Sequence, residues 1–509
     1  MTGCAREGAG DSGAVLRLSQ RNEPGDLDPA TATLPDEFFI IRALSEGLLA
    51  PAPDGGTPRP AAAQSWDVSA DGLTYTFHLR PDLYWSNHEP LTAADFIASY
   101  RRVLNPATAA PKAPLFFLVR GAEDYYRGRL TDFARVGFAA PDPLTLRVTL
   151  VHPAPQFPVY VASGPWIPVN PRVVARLGRA WTQPENFVGN GPFTLREWSP
   201  NQRITVQRRP AYWNAAHILL DEIQFLAFDN GDAEERAFRA GQIDITMAVP
   251  FSKIAVYAAM RPSPLRQIPL YETRFLAFNT QRPPLNDPRV RQALSAALDR
   301  AAIAAHVLGG GQLPARHFVP DGLGGFHSLR SLPEDAAAAR ALLAAGGFPG
   351  GAGFPILDLT GWTQTPVLEA VQAMWKDQLG ITVRIRTRDA KVHVQSLQAG
   401  HFDIGFIAAI PDVADPANQL DDLRAGAANN YSHWQNAAYD RLLANADLTA
   451  DAATRLKLLA QTEAIVTDEV PVAPLYFNTM NILQRATVHG WQEDALWTRF
   501  YAGVSITSP

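Results

Sequence analysis

The chain has 509 residues, of which 47% are hydrophobic, 19% charged and 10% aromatic. That composition supports two or three domains with sizeable cores, and excludes a single small module, a fibrous repeat or a disordered chain. Lys and Arg number 45 against 50 Asp and Glu, a net charge of −5. With no basic run in the chain, this balance argues against a nucleic-acid partner.

No stretch approaches the roughly 18 uninterrupted apolar residues of a membrane-spanning helix. The single cysteine, Cys4, excludes an intramolecular disulfide framework and any paired-cysteine metal or redox site. Met1-Thr2-Gly3-Cys4, followed by a Gly/Ala/Ser-rich stretch to Gly13, resembles the cleavage box of bacterial lipoproteins, in which the cysteine becomes the acylated first residue. Residues 1–13 are then expected to be a flexible linker and Cys4 a lipidation candidate. The alternative is an ordinary thiol in a frayed terminus, because the apolar segment of such a signal is not in this sequence.

In chain order, Leu73, Tyr75, Phe77 and Leu79 alternate with polar residues, as do Leu144, Leu146, Val148 and Leu150, the period of half-buried strands. Between them, Thr92-Ala93-Ala94-Asp95 starts a helix with an apolar face of Phe96, Ile97, Tyr100, Val103 and Leu104, and Asn105-Pro106 stops it. Residues 46–164 therefore read as one α+β unit. Asp287-Pro288 opens a long helix with Val290, Ala293, Leu294, Ala297 and Leu298 on one side. Thr365-Pro366 opens another, ended by Gly380 and followed by Ile381, Val383 and Ile385 in strand alternation. One motif occurs twice, as Ala240-Gly241-Gln242-Ile243-Asp244-Ile245 and Ala399-Gly400-His401-Phe402-Asp403-Ile404, so two lobes are expected to share one helix-to-strand device.

A search for catalytic chemistry finds little. Ser163 lacks the first glycine of a nucleophile elbow, and none of the five lysines follows a glycine as a phosphate loop requires. The glycine clusters at 309–311, 322–325 and 346–353 read as loops. The 11 histidines show no metal-ligand spacing, so no metal or cofactor is expected. Of the 11 tryptophans, Trp66, Trp85 and Trp213 read as structural, whereas Trp362 and Trp434 fall in loop-like stretches and either face a pocket or fill a core.

The order of segments from Val15 onward resembles the extracytoplasmic solute-binding proteins of oligopeptide ABC transporters. The resemblance is carried by four blocks: Ala63 to Arg80 with Leu91 to Phe96, Asn190-Gly191-Pro192-Phe193, Tyr212-Trp213-Asn214, and Phe278-Asn279 with Pro284 to Arg291. It implies an α/β fold, two-lobed and periplasmic-binding-protein-like (type II), with an additional α+β domain. Lobe one is then expected over 14–45, 165–270 and 480–509, the extra domain over 46–164, and lobe two over 271–479, with hinge crossings near Tyr271 and Met480. The resemblance also implies a monomeric, non-enzymatic protein outside the cytoplasm that hands a peptide or peptide-like solute to the membrane subunits of an ABC permease.

Peptides of varied sequence share only backbone amides and charged ends, so strand-like pairing with the ligand backbone is the expected mode of recognition. By resemblance, Asp412 holds the ligand's α-ammonium just after a ligand-pairing strand that includes Ala408, Ala409 and Ile410. Phe406 stands where a basic residue for the ligand carboxylate is expected, and no His lies near Thr365. On the first lobe, Thr33-Leu34-Pro35 is the expected ligand-facing turn. Relatives of similar outline bind nickel chelates, haem, opines or oligosaccharides, which fold cannot separate from peptides. A periplasmic amidase or peptidase is the enzymatic alternative.

Overall fold

The computed structural model describes residues 13–21 and 23–507, so Cys4 lies outside the described residues. The chain divides into two compact units. The first runs to Val151 and also holds Tyr160–Arg266 and the segment from Asn481; the second holds His152–Val159 and Gln267–Met480.

The first unit opens with β1 (Val15–Gln20) and α1 (Pro35–Leu44). Next come β2 (Ala63–Val68), β3 (Thr74–Leu79), α2 (Ala93–Leu104), β4 (Phe138–Asp142) and β5 (Thr145–Thr149). These strands form an antiparallel sheet in the order β2-β3-β5-β4. The alternation does what it promised: Tyr75 and Phe77 are buried and stand opposite Val148 and Leu146. Helix α2 begins where the capping residues place it, with Asp95 Oδ2 accepting from the Thr92 backbone N–H at 2.9 Å. Its Phe96, Tyr100 and Leu104 are buried, and Tyr100 meets Trp166 edge-on at 4.9 Å. Strands β6 (Phe193–Ser199), β7 (Arg203–Arg208) and β8 (Glu222–Ala227) join β1 in a second sheet, ordered β1-β8-β7-β6, and α3 (Gly231–Arg239) follows.

Three of the sequence blocks that carried the family resemblance meet at Glu46. The Asn190 side chain accepts from the Glu46 backbone N–H at 3.0 Å and donates to its carbonyl at 2.9 Å. Gly191 has no room for a side chain, since a Cβ there would lie 2.5 Å from the Ser45 nitrogen. The Glu46 carboxylate accepts from the Tyr212 hydroxyl and the Trp213 indole N–H, each at 2.6 Å. Arg80, the last residue of the first block, lays its guanidinium 3.6 Å over the Trp213 ring. Burial pushes the Glu46 carboxyl up to about 7, against the opposing pull of these donors and of Arg209 and Arg80.

The second unit is an α/β layer. Strand β9 (Leu265–Phe278) enters it and leads to α4 (Pro288–Ala296) and the short β10 (Leu313–Pro314). Helix α5 (Ala336–Ala345), β11 (Leu357–Gly361), α6 (Thr365–Leu379), β12 (Val383–Thr387), α7 (Ala390–Gln398) and β13 (Ile404–Ala409) follow. The unit closes with α8 (Pro416–Leu420), α9 (Ala437–Asp447), α10 (Ala452–Glu469) and β14 (Val472–Leu483). The sheet order is β10-β14-β9-β13-β11-β12, with β11 parallel to both β12 and β13 and β9 antiparallel to β13. Helix α4 has nine residues, shorter than its apolar spacing suggests, because Ala297 closes the last turn and Asp299 caps a new start.

Strand parity divides this unit's core. Leu276, Phe278, Ile404 and Phe406 pack on α4 and α6 through Val290, Leu294, Val371 and Trp375, whereas Phe275, Ala277, Ile407 and Ala409 face Leu397, Tyr439 and Leu459 on α7, α9 and α10. The chain passes between units inside β9, at Arg266 and Gln267, and inside β14, at Met480 and Asn481.

The repeated motif is one device used in both units. Gly241 (φ +80°) and Gly400 (φ +70°) end their helices in the left-handed region. Two residues beyond the following apolar position, Ile245 pairs in parallel with Leu18 and Ile404 with Leu359. The preceding aspartates then do the same work: Asp244 accepts from the Arg17 N–H at 2.8 Å and Asp403 from the Asp358 N–H at 3.0 Å. Ile245 forms only a bridge, whereas Ile404 opens a full strand.

Candidate functional site

In a sheet of this kind ligand groups gather at the carboxyl ends of the parallel strands, where the loops leave. In the second unit those ends are Gly361-Trp362 after β11 and Ala408 to Asp412 at the end of β13. Antiparallel β9 brings Glu272 and Arg274 to the same edge, with Arg274 opposite Ala408.

Asp412 is exposed on a turn fixed from both sides. Its backbone N–H donates to Asn418 Oδ1 at 2.7 Å, and buried Asp415 caps α8 while forming a two-pronged ion pair with Arg455 at 2.8 and 2.9 Å. Ile410 is 42% exposed and Ala408 half-buried. Ala409 is 3% exposed and its side chain belongs to the core, so its backbone alone is available to a ligand. Phe406 is fully buried, packed with residues of α4 and α6. It fills the core rather than standing at the site, although it has the strand parity of Ala408 and Ile410.

Trp362 and Trp434 part company. Trp434 is 4% exposed, packs edge-on against Tyr439 at 5.1 Å and donates its indole N–H to Glu469 at 2.7 Å; it is a core residue and not a pocket wall. Trp362 is half-buried at the strand edge, 5.3 Å from the His393 ring and 5.7 Å from the Arg274 guanidinium carbon. His393 brings an imidazole beside Trp362 that sequence reading did not anticipate. It is not a cation there: burial lowers its pKa, and Nε2 donates to the Phe406 carbonyl at 2.9 Å.

Arg274 is a basic group at this edge that the sequence reading did not name. Its Nε pairs with buried Glu272, while Nη1 lies buried with no hydrogen-bond partner among the described residues. Three arginines in β12 and just beyond it are engaged elsewhere, Arg384 and Arg386 with Asp358 and Arg388 with Ser396. Two charged residues on one face of β9, Glu272 and Arg274, are the sequence signal that could have found it.

Beside Ala408 and Ile410 a cavity of ≈ 170 Å³ opens, walled by Phe275, Phe318 and Leu423 and rimmed by Asp422, Asn429 and Tyr431. Asn429 Nδ2 donates to Asp422 Oδ1 at 2.9 Å. Burial and the Asp422 charge push the Tyr431 hydroxyl up to about 12. Asp422 lies in a single 3-10 turn (Asp421–Leu423) and Asn429 and Tyr431 in the loop beyond it, so only the fold gathers them.

In the first unit Thr33 and Leu34 precede α1, and Leu34 is 44% exposed. Both backbone N–H groups donate to Glu37 Oε2, at 2.7 and 2.9 Å. The expected ligand-pairing donors of this turn are therefore already used by its own helix start. Among the described residues no helix is long and apolar enough to cross a membrane, and no group of three His, Cys, Asp or Glu side chains is placed to hold a metal.

Residues 57–431 match the model of the bacterial extracellular solute-binding proteins, family 5. The chain belongs to that family. It is 34% identical to the probable deoxycholate-binding periplasmic protein YgiS of Escherichia coli (strain K12), over 94% of this chain and 90% of that protein. It is 32% identical to the periplasmic murein peptide-binding protein MppA of the same organism, over 96% of this chain and 94% of that one. The solved structure of the Escherichia coli murein tripeptide-binding protein superposes with a TM-score of 0.87 at 31% identity, covering 98% of this chain and 99% of that one. The Haemophilus influenzae OppA complex with the peptide RPPGFSPFR gives 0.85 at 28% identity, covering 98% and 100%. The two-lobed α/β fold of the family is thus the fold of this chain, and these relatives are binding proteins rather than enzymes.

Proposed function

We propose that this protein is the solute-capturing component of an ABC transporter, binding peptides or amine-ended peptide-like solutes outside the cytoplasm and handing them to a permease without catalysing a reaction. The observation that carries the reading is the end of β13: half-buried Ala408 and exposed Ile410 lead directly to exposed Asp412 on a braced turn. A ligand backbone runs along that edge and its α-ammonium meets Asp412. The likeness to murein-peptide and oligopeptide binders supports it. Lobe one consists of 14–45, 165–270 and 480–509 with the 46–164 domain inserted, and lobe two of 271–479. The protein acts as a monomer, tethered through lipidated Cys4.

Calorimetry with free-amine and N-acetylated tripeptides tests the assignment. Asp412→Asn keeps the shape and removes the charge, so we expect a loss of about 2–5 kcal/mol for free-amine peptides and much less for acetylated ones. Exposed Asp377→Asn is the control; Asp403 and Asp415 are unsuitable because both hold the fold together. A change within about 0.5 kcal/mol at Asp412 removes the amine clamp. Recovery of every peptide uncleaved separates binding from an amidase.

A second reading is an amphipathic acid of the bile-acid type, favoured by the likeness to YgiS and by Arg274 lying against Trp362. Deoxycholate that binds while tripeptides do not would establish it over the first.

A further inference from the structure

The first unit holds a cavity of ≈ 760 Å³ that shares no residue with the β13 edge. Arg120, Gly121, Asp124, Arg129, Leu130 and Arg135 line it, so it offers three guanidinium groups, one carboxylate and little apolar wall. Its size falls within the roughly 300–1,000 Å³ that receives a small molecule, but its lining suits a hydrated anion rather than an apolar ligand. The backbone sets two of the arginines side by side. The Arg120 N–H donates to the Thr149 carbonyl at 2.9 Å and its carbonyl accepts from the Gly137 N–H at 2.8 Å, which clamps Arg120 to the end of β5. Gly121 follows at φ +73°, where a Cβ would stand 3.4 Å from the Arg135 carbonyl oxygen and 3.3 Å from Leu130. Arg120 and Arg135 therefore leave the chain from adjoining stretches of backbone.

The nearby carboxylates are committed elsewhere. Arg129 donates Nε to Asp124 at 2.7 Å, so the charges of that pair cancel. Glu123 is held by Arg127 at 2.7 Å, and Asp132 accepts from the Ala134 N–H at 3.0 Å. Arg120 and Arg135 are exposed, and neither guanidinium has an ion pair or hydrogen bond among the described residues. Two like charges carried on adjoining backbone repel one another, and an anion between them removes that cost.

We propose that this cavity is a binding site for a phosphate monoester, with Arg120 and Arg135 as its two cationic forks. Their charges together match the nearly doubly charged phosphate at neutral pH. Each fork presents paired N–H donors, and two forks need more acceptor oxygens than one carboxylate has, whereas a phosphate group supplies them. The volume beyond one phosphate takes the organic part of the ester. A free phosphorylated polyol and the headgroup of a membrane lipid share this chemistry.

Calorimetry with glycerol phosphate, and sedimentation with phosphatidylcholine vesicles with or without phosphatidic acid, test the site and separate the two sources. The free ester should bind saturably and at least about tenfold more tightly than acetate. Arg120→Gln and Arg135→Gln, both exposed substitutions, should each weaken that binding at least about tenfold. Arg176→Gln removes the same charge from an exposed position outside the cavity and should stay within about twofold of wild type. Phosphatidic acid vesicles that retain the wild type but not the Arg120→Gln/Arg135→Gln double variant, with no binding of the free ester, establish the lipid headgroup as the ligand. Absence of binding to both probes overturns the site, as does binding that the double variant keeps or that Arg176→Gln weakens equally. None of these outcomes bears on peptide capture, which uses other residues.

Discussion

Glu46 is where individual side chains decide most. Four partners surround its carboxyl group, yet burial keeps its pKa near 7, so the folded protein holds that proton more tightly than the unfolded chain does. For a carboxyl group raised in the folded state, the contribution to stability is complete below the unfolded pKa of about 4.3 and is lost as pH rises through the folded value. Urea unfolding should therefore show stability falling by about 1–2 kcal/mol between pH 5 and pH 8, and Glu46→Gln should flatten that slope. Asp415 is the opposite case, a buried carboxylate already satisfied by Arg455. Asp415→Ala removes the two-pronged carboxylate partner of a buried guanidinium and should cost about 3–5 kcal/mol in urea unfolding, whatever it does to ligand affinity. This is why the aspartates flanking Asp412 separate function from folding poorly.

Among the secondary-structure elements, those with complete local signals formed where those signals stand. Thr92 and Asp95 start α2, Asp287 and Pro288 start α4, and Gly380 ends α6 in the left-handed region. A Cβ at Gly380 would lie 2.6 Å from the Gly350 carbonyl oxygen, so Gly380→Ala meets both a positive φ and a backbone clash. We expect a destabilisation above about 1 kcal/mol, readable as a lowered denaturation midpoint, where an ordinary surface change stays within about 0.5. The site was less legible. Phe406 has the strand parity of Ala408 and Ile410, so alternation alone leaves it on the ligand side; the packing against α4 and α6 that buries it is a tertiary choice. Trp434 lies in what reads as a loop because Asn430, Ser432 and Trp434 fold back on one another, an arrangement that has no sequence period. Thr33 and Leu34 were placed at a turn correctly, but the carboxylate that takes their N–H groups is supplied by the first turn of α1.

The chain changes unit within strands at Arg266–Gln267 and Met480–Asn481, and also on either side of His152–Val159. If ligand capture closes the protein about these crossings, a saturating peptide should lower the radius of gyration measured by small-angle X-ray scattering. It should also raise stability by about 2.7 kcal/mol at a hundredfold excess over Kd, by mass action. An unchanged radius together with raised stability would mean capture without closure.

The architecture was written locally. Caps and strand alternation need only neighbouring residues to act, so their outcome is readable from order and spacing. The repeated Gly-x-apolar-Asp-Ile device is legible as a repeat, but the backbone N–H that each aspartate receives, from Arg17 and from Asp358, is supplied by the fold. The ligand-facing chemistry is different. Arg274, Trp362, Asp422 and Tyr431 stand far apart in the chain and gain their meaning from which strand lies beside which, and which face each residue presents. Sequence periodicity says that a face is buried or exposed but not what lies opposite it. Pairing across the sheet, a tertiary choice, therefore put an arginine opposite Ala408 and a carboxylate at the mouth of the adjoining cavity.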